Sequence, residues 1–196
     1  GTYSPIMRAH GTGIDMEPHL YPDPYKSICR KYIKKRYELL PYIYSLAYLN
    51  STTGRPLMMP INYFDPDNAL LDNISDQFLF GENLMVAPIL EEGASSRTVV
   101  FPSGTWIDTK TKTAYQGNSQ TSVSVDINDI PVFVKAGALI PRAPLAYSTV
   151  DIDPSHYIID YYPTESSVNS EFKIYEDDGN STKTIENDQY RLTEIS

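Results

Sequence analysis

The chain has 196 residues, of which 41 % are hydrophobic and 21 % charged, a composition suited to one large globular domain or two small ones. Its formal charge of −9 argues against nucleic acid, whose phosphates would be repelled. The single cysteine, Cys29, excludes an internal disulfide and a cysteine-based metal site, and no apolar run approaches membrane-span length.

The first segment, Tyr3-Ser4-Pro5-Ile6-Met7-Arg8-Ala9-His10, reads as a buried strand with nothing before it to pair with. At period two, Ile6, Arg8 and His10 share one face, and Pro5, Met7 and Ala9 the other. Buried there, Arg8 and His10 need acidic partners. Residues 11–24 form a Pro- and Gly-punctuated loop carrying His19. From Tyr25 to about Asn50, apolar residues recur at helical steps, with Asp23-Pro24 as a start signal and Gly54 as a stop. Pro41 predicts two helices or one kinked helix, bent just before it. The run Lys31, Lys34, Lys35 and Arg36 reads as a solvated face. Tyr37, Tyr42, Tyr44 and Tyr48, at helical spacing, read as packing residues.

The middle of the chain alternates like sheet. Leu84–Leu90 is a continuous apolar run, and residues 97–101, 121–125 and 130–134 follow, split by Pro-Ser-Gly and Gly-Asn-Ser turns. That spacing suggests a β-sandwich. Trp106 reads as packing at a sandwich edge. Strand patterning restarts at 157–162 and 172–175, too little for an independent sheet domain, so the chain reads as cut at both ends. Asp65-Pro66-Asp67-Asn68 is turn chemistry, not a catalytic pair. Glu176-Asp177-Asp178-Gly179 lacks the ligand alternation of a calcium loop and favours a hairpin turn. His156 has no assigned role. Asn-x-Ser/Thr triplets begin at Asn50, Asn73 and Asn180, and such triplets are common by accident.

Several segments, in order, resemble glycoside hydrolase family 31, the α-glucosidase and α-xylosidase family. They are Tyr3-x-Pro5-x-x-Arg8-x-His10, Glu17-Pro18, Arg36-Tyr37-Glu38-Leu39-Leu40-Pro41-Tyr42-Ile43-Tyr44 and Gly54-Arg55-Pro56-Leu57-Met58-Met59-Pro60. Asp76-Gln77-Phe78-Leu79-Phe80-Gly81, Leu84–Ile89, Pro102-Ser103-Gly104-Thr105-Trp106, Ile130–Gly137 and Tyr175–Gly179 continue the series. The resemblance implies a mixed α and β chain: the end of a (β/α)8 barrel (1–74), a proximal β-sandwich (75–146) and the start of a distal β-domain (147–196). It also implies that both catalytic aspartates lie upstream, that His10 contacts the substrate sugar, and that Arg8 holds an active-site acid from behind. His19 stands where the family usually has tryptophan, at a possible pocket rim, and Met59 where it often has arginine. The implied partners are an oligosaccharide or α-glucoside substrate and the remainder of the barrel with its amino-terminal domain, without nucleic acid or a membrane span. No cofactor or metal is implied. The competing expectation, from the middle region alone, is a non-catalytic β-sandwich that binds carbohydrate or a partner. Localisation is not legible.

Overall fold

The computed structural model describes residues 1–13, 16–163 and 170–196. Ile14 and Asp15, within the 11–24 loop, and 164–169, within the expected distal domain, lie outside them. The elements, in order, are α1 (Tyr25–Glu38), α2 (Leu40–Thr53), β1 (Met58–Pro60), β2 (Phe78–Phe80), β3 (Leu84–Val86), β4 (Ser96–Phe101) and β5 (Thr105–Asp108). They continue with β6 (Ala114–Gln116), β7 (Ser119–Ser124), β8 (Val132–Lys135), β9 (Leu139–Arg142), β10 (Ile158–Tyr161), β11 (Phe172–Glu176) and β12 (Arg191–Ile195). Two compact units result. One comprises Gly1–Arg55, Ile140–Asp160 and Glu171–Ser196, and the other Pro56–Leu139 and Tyr161–Ser170.

In the first unit the helical region breaks at Leu39 (φ −82°, ψ 0°), and Pro41 falls in the first turn of α2. Its missing N–H is harmless there, because first-turn donors have no intrahelical acceptor. Helix α1 starts one residue later than Asp23-Pro24 suggests, and the Asp23 carboxylate still caps it, accepting from the Ser27 amide at 3.2 Å and hydroxyl at 2.5 Å. Gly54 ends α2 at φ +76°, donating its N–H to the Asn50 carbonyl. The expected solvated face survives only at Lys31. Lys34, Lys35 and Arg36 are half-buried, and Lys35 lies 3.7 Å from Glu38.

Helix α2 buries Tyr42, Ile43, Ser45 and Leu46 against β11. Tyr42 stacks on Phe172 at 5.4 Å and Tyr48 on Tyr175 at 4.5 Å, so these tyrosines are packing residues. The Ser45 hydroxyl donates to the Pro41 carbonyl (2.7 Å) and accepts from the Tyr175 amide (3.0 Å), satisfying a strand donor that β12 does not reach. Near the end of α1, Arg142 grips Asp160 through two hydrogen bonds (2.7 and 3.0 Å) and reaches Glu38 at 3.4 Å.

Strands β11 and β12 pair antiparallel, but residues 177–190 join them, so the Asp-Gly pair makes no tight hairpin. The Asp177 carboxylate instead accepts from the Tyr44 hydroxyl (2.6 Å), the Tyr175 hydroxyl (2.8 Å), the Gly179 amide (2.8 Å) and Thr184 (3.0 Å). Burial pushes its carboxyl up, yet these bonds, Tyr44's foremost, leave it below its ordinary value. Asp178, bonded to the Ser181 hydroxyl and to the amides of Ser181 and Asn180, is pulled down to about 2. A carboxyl lowered by folding stabilises above its unfolded value and loses that contribution as pH falls through the folded one. The melting temperature of the chain should therefore exceed that of Asp178→Ala above about pH 4, and the gap should shrink towards about pH 2. Melts followed by circular dichroism from pH 6 to 2 measure that gap, and a constant one would contradict the assignment.

The second unit is a β-sandwich. Its larger sheet runs β1-β2-β3-β8-β5-β6, with antiparallel pairing in every registered pair, and β4 and β7 form the other sheet. Met59, Leu79, Met85, Trp106 and Phe133 from the larger sheet meet Val99, Phe101 and Val123 from the smaller in one apolar core. The likeness of residues 54–60 to a barrel strand has a different expression here. Strand β1 pairs antiparallel with β2, placing Met59 opposite Leu79. Met59 is 2 % exposed in that apolar core, where an unpaired arginine would be costly. The run Leu84–Leu90 is strand only to Val86; the Ala87 amide turns to the Pro131 carbonyl, and Pro88 has no N–H to continue.

Two features of the family-like segments explain themselves locally. The buried Gln77 amide donates to the Val100 carbonyl and accepts from its N–H, both at 2.9 Å, standing in for a neighbouring strand along β4. Trp106 is buried in the sandwich core and donates its indole N–H to the Pro102 carbonyl at 3.0 Å. Gly117 lies so close to the 102–104 turn that a Cβ would stand 2.2 Å from the Pro102 carbonyl oxygen and 2.5 Å from that of Gly104. Both obstacles are backbone, so Gly117→Ala should destabilise the sandwich by about 1–3 kcal/mol. Urea unfolding monitored by Trp106 fluorescence checks this, and an unchanged midpoint would refute it.

Candidate functional site

The candidate residues belong to the first unit, and its opening segment is anchored before it reaches them. Arg36 on α1 donates to the carbonyls of Gly1 (2.8 Å), Ser4 (2.6 Å) and Pro5 (2.8 Å). The Thr2 hydroxyl donates to the Tyr32 carbonyl at 3.0 Å. Thr2 and Tyr3 are consequently buried, and the backbone through Pro5 is held by donors that a helix surface supplies. The sequence pattern conceals this: Arg36 looks like one more member of a basic run.

Beyond the anchor, the expected buried strand does not form. Residues 6–10 have no strand partner among the described residues and are exposed, Ile6 by 81 %. Alternation predicts a strand only where a neighbouring edge satisfies the backbone. Among the described residues Arg8 therefore meets no acid. Its Nη2 lies 3.1 Å from His10 Nδ1. Guanidinium has no acceptor, so Nδ1 accepts and the ring proton of His10 sits on Nε2. This pair leaves Nε2–H as the donor that the imidazole can offer a ligand.

His19 sits apart in sequence, on the 3-10 turn Pro18–Leu20. It is exposed and lines a cleft of about 360 Å³ between that turn, one face of α1 and the loop at Leu145–Tyr147. Asp65, Asp67 and Asp76 belong to the other unit. Asp65 accepts from Asn68 and from the Ser103 amide, which hold its carboxyl below its ordinary value, and Asp76 pairs with Arg97 at 2.8 Å. These are turn and ion-pair roles.

An anchored Arg–His segment thus leads into two helices, with a β-sandwich in the same chain. The description "Glycosyl hydrolases family 31 TIM-barrel domain" matches residues 1–46, and "Glycosyl hydrolase family 31 C-terminal domain" matches 54–140. The chain belongs to glycoside hydrolase family 31. It is 30 % identical over 194 residues to alpha-glucosidase 2 of Bacillus thermoamyloliquefaciens, covering 98 % of this chain and 24 % of that protein. To the alpha-xylosidase of Saccharolobus solfataricus it is 32 % identical over 198 residues, covering 100 % of this chain and 26 % of that one. The family 31 dextranase of Flavobacterium johnsoniae, solved with glucose, superposes with a TM-score of 0.85 at 33 % identity, over 94 % of this chain and 23 % of its own. The chain thus spans about a quarter of the length of the curated relatives it matches. No helix among the described residues is long and apolar enough to cross a membrane.

The anchor has a direct test. Arg36→Ala removes three charge-assisted bonds at once, so amide exchange in residues 2–4 should rise at least tenfold while α2 keeps its protection. Hydrogen exchange reads both regions, and unchanged protection in residues 2–4 would show that other contacts hold the segment.

Proposed function

We propose that this chain is the carboxyl-terminal part of a retaining α-glycosidase, specifically an α-glucosidase that releases terminal α-linked glucose. The observation that carries the reading is the match of residues 1–46 to the family's barrel domain, a stretch that opens on the segment where Arg8 bonds His10. In the complete enzyme one aspartate attacks the anomeric carbon and a second protonates the leaving oxygen, after which water releases the glycosyl-enzyme. Both aspartates come from polypeptide upstream of Gly1. In this reading residues 1–74 close the barrel, with β1 among them already paired into the sandwich, 75–146 form the proximal sandwich and 147–196 open the distal domain.

In this proposal His10 Nε2–H donates to a hydroxyl of the bound sugar. Arg8 is a positioning residue that fixes the imidazole tautomer, and His19 stands at the pocket rim. The substrate is an oligosaccharide or α-glucoside, and the rest of the barrel with the amino-terminal domain is the obligatory partner. The names of the relatives, an alpha-glucosidase and an alpha-xylosidase, support α-linked sugars as the class, and the alpha-glucosidase and the glucose-bound dextranase support glucose within it.

Kinetics on the full-length enzyme test the assignment. His10→Ala should lower kcat/KM about two- to tenfold with an unchanged melt, the equivalent of one lost hydrogen bond. Arg8→Ala should act through His10, so the double variant should lose little beyond His10→Ala alone. Unchanged kcat/KM in His10→Ala would remove it from the site. The 196-residue chain alone should hydrolyse aryl α-glucosides no faster than buffer, and turnover abolished by a substitution within it would overturn the division of labour.

A further inference from the structure

The cleft beside His19 has a chemistry that sugar hydrolysis does not use. Lys26, Arg30 and Lys34 face it from α1, spaced four residues apart on one stripe of the helix. In a chain of net charge −9, none of the three has an ion pair or side-chain hydrogen bond among the described residues. Lys35, next on the helix but off this stripe, does find a carboxylate, Glu38. The nearby acid Asp23 feels Lys26 and Arg30, but its Oδ1 is committed to Ser27. Lys26 and Lys34 are half-buried as residues, and Arg30 is exposed.

The walls between these charges are apolar and aromatic. Tyr37, from α1, and Tyr147, 84 % exposed on its loop, both line the cleft. A volume of about 360 Å³ falls in the range of small-molecule sites, which combine apolar walls with a few convergent polar groups. Three cations with no ion pair among the described residues, beside two tyrosines, suit an anion that carries a ring.

We propose that this cleft binds an anionic monosaccharide, a sugar phosphate or a uronate, with the pyranose face against Tyr37 and Tyr147 and the anion held by Arg30, Lys34 and Lys26. It is a site additional to the sugar contact assigned to His10, and it does not depend on the glycosidase reading. Arg30 can take the anion bidentately, while the lysines act as point charges.

Calorimetric titration of the 196-residue chain tests it with glucose 6-phosphate, glucuronate, inorganic phosphate and glucose. The expected result is saturable binding of glucose 6-phosphate or glucuronate, weakening as salt is raised, and whichever of the two binds identifies the anion. Arg30→Gln and Lys34→Gln should each weaken it about tenfold. Lys31→Gln, which removes the same charge from the exposed face of the helix, should leave it unchanged, and melts confirm that each variant is folded. Tyr147→Ala should weaken the sugar anion and spare inorganic phosphate. Absence of saturable binding, equal loss in Lys31→Gln, glucose binding as tightly as its phosphate, or inorganic phosphate matching glucose 6-phosphate would each overturn the proposal. Hydrolytic activity enters none of these readouts, so the result is independent of the function proposed above.

Discussion

The first unit exists because helix α2 and strand β11 close on each other across 130 residues of sequence. The contact is part apolar and part polar, and the polar part gives it its register. Ser45 supplies the acceptor for the Tyr175 amide, while Tyr44 and Tyr175 both deliver hydroxyls to Asp177. A β strand laid on a helix leaves backbone donors without partners, and a buried donor left unmet costs more than a made bond returns. Side chains that meet such donors therefore determine where the strand can sit. Tyr48 stacks on Tyr175 and Tyr42 on Phe172 beside them, and the Ser45–Tyr175 bond is buried while the Tyr44–Asp177 bond stays exposed.

The same rule operates in the sandwich through different residues. Gln77 meets both backbone groups of Val100, and Trp106 meets the carbonyl of Pro102. At the beginning of the chain it operates again through Arg36 and Thr2, which hold the backbone ahead of Arg8 and His10. In each case a polar side chain replaces a missing strand. The family-like segments around Arg36 and Gln77 thus hold residues whose work is to satisfy backbone, which gives the Arg-Tyr and Asp-Gln pairs a structural meaning separate from catalysis.

The charge distribution on α1 follows from what faces each residue. Glu38 draws Lys35 and Arg142 towards the end of the helix, and Asp23 occupies the beginning. Between them the cationic stripe faces the Tyr147 loop, which brings apolar and hydroxyl groups but no carboxylate into the cleft wall. A net negative chain therefore carries a local positive site, because potential at a cleft is set by the nearest charges and not by the sum.

Local signals were sufficient wherever the physics is local. The break before Pro41, the stop at Gly54, the helical tyrosines and the strands at 97–101, 121–125 and 172–175 could be read directly, since proline, glycine and periodicity act within a few residues. The family likeness was equally legible, being a property of residue order. Other features were decided only by tertiary structure. Residues 3–10 have strand alternation and form no strand, because the decision belongs to a neighbouring edge. Met59 sits in an antiparallel sheet because β2 is the partner it meets, and the Asp-Gly pair at 178–179 turns into a long loop because Asp177 is claimed by α2. Arg36 and Lys34, nearly adjacent and chemically similar in sequence, part ways completely: one binds backbone carbonyls and the other lines a cleft. Sequence fixes which groups need partners, and only the folded chain determines which partners come within reach.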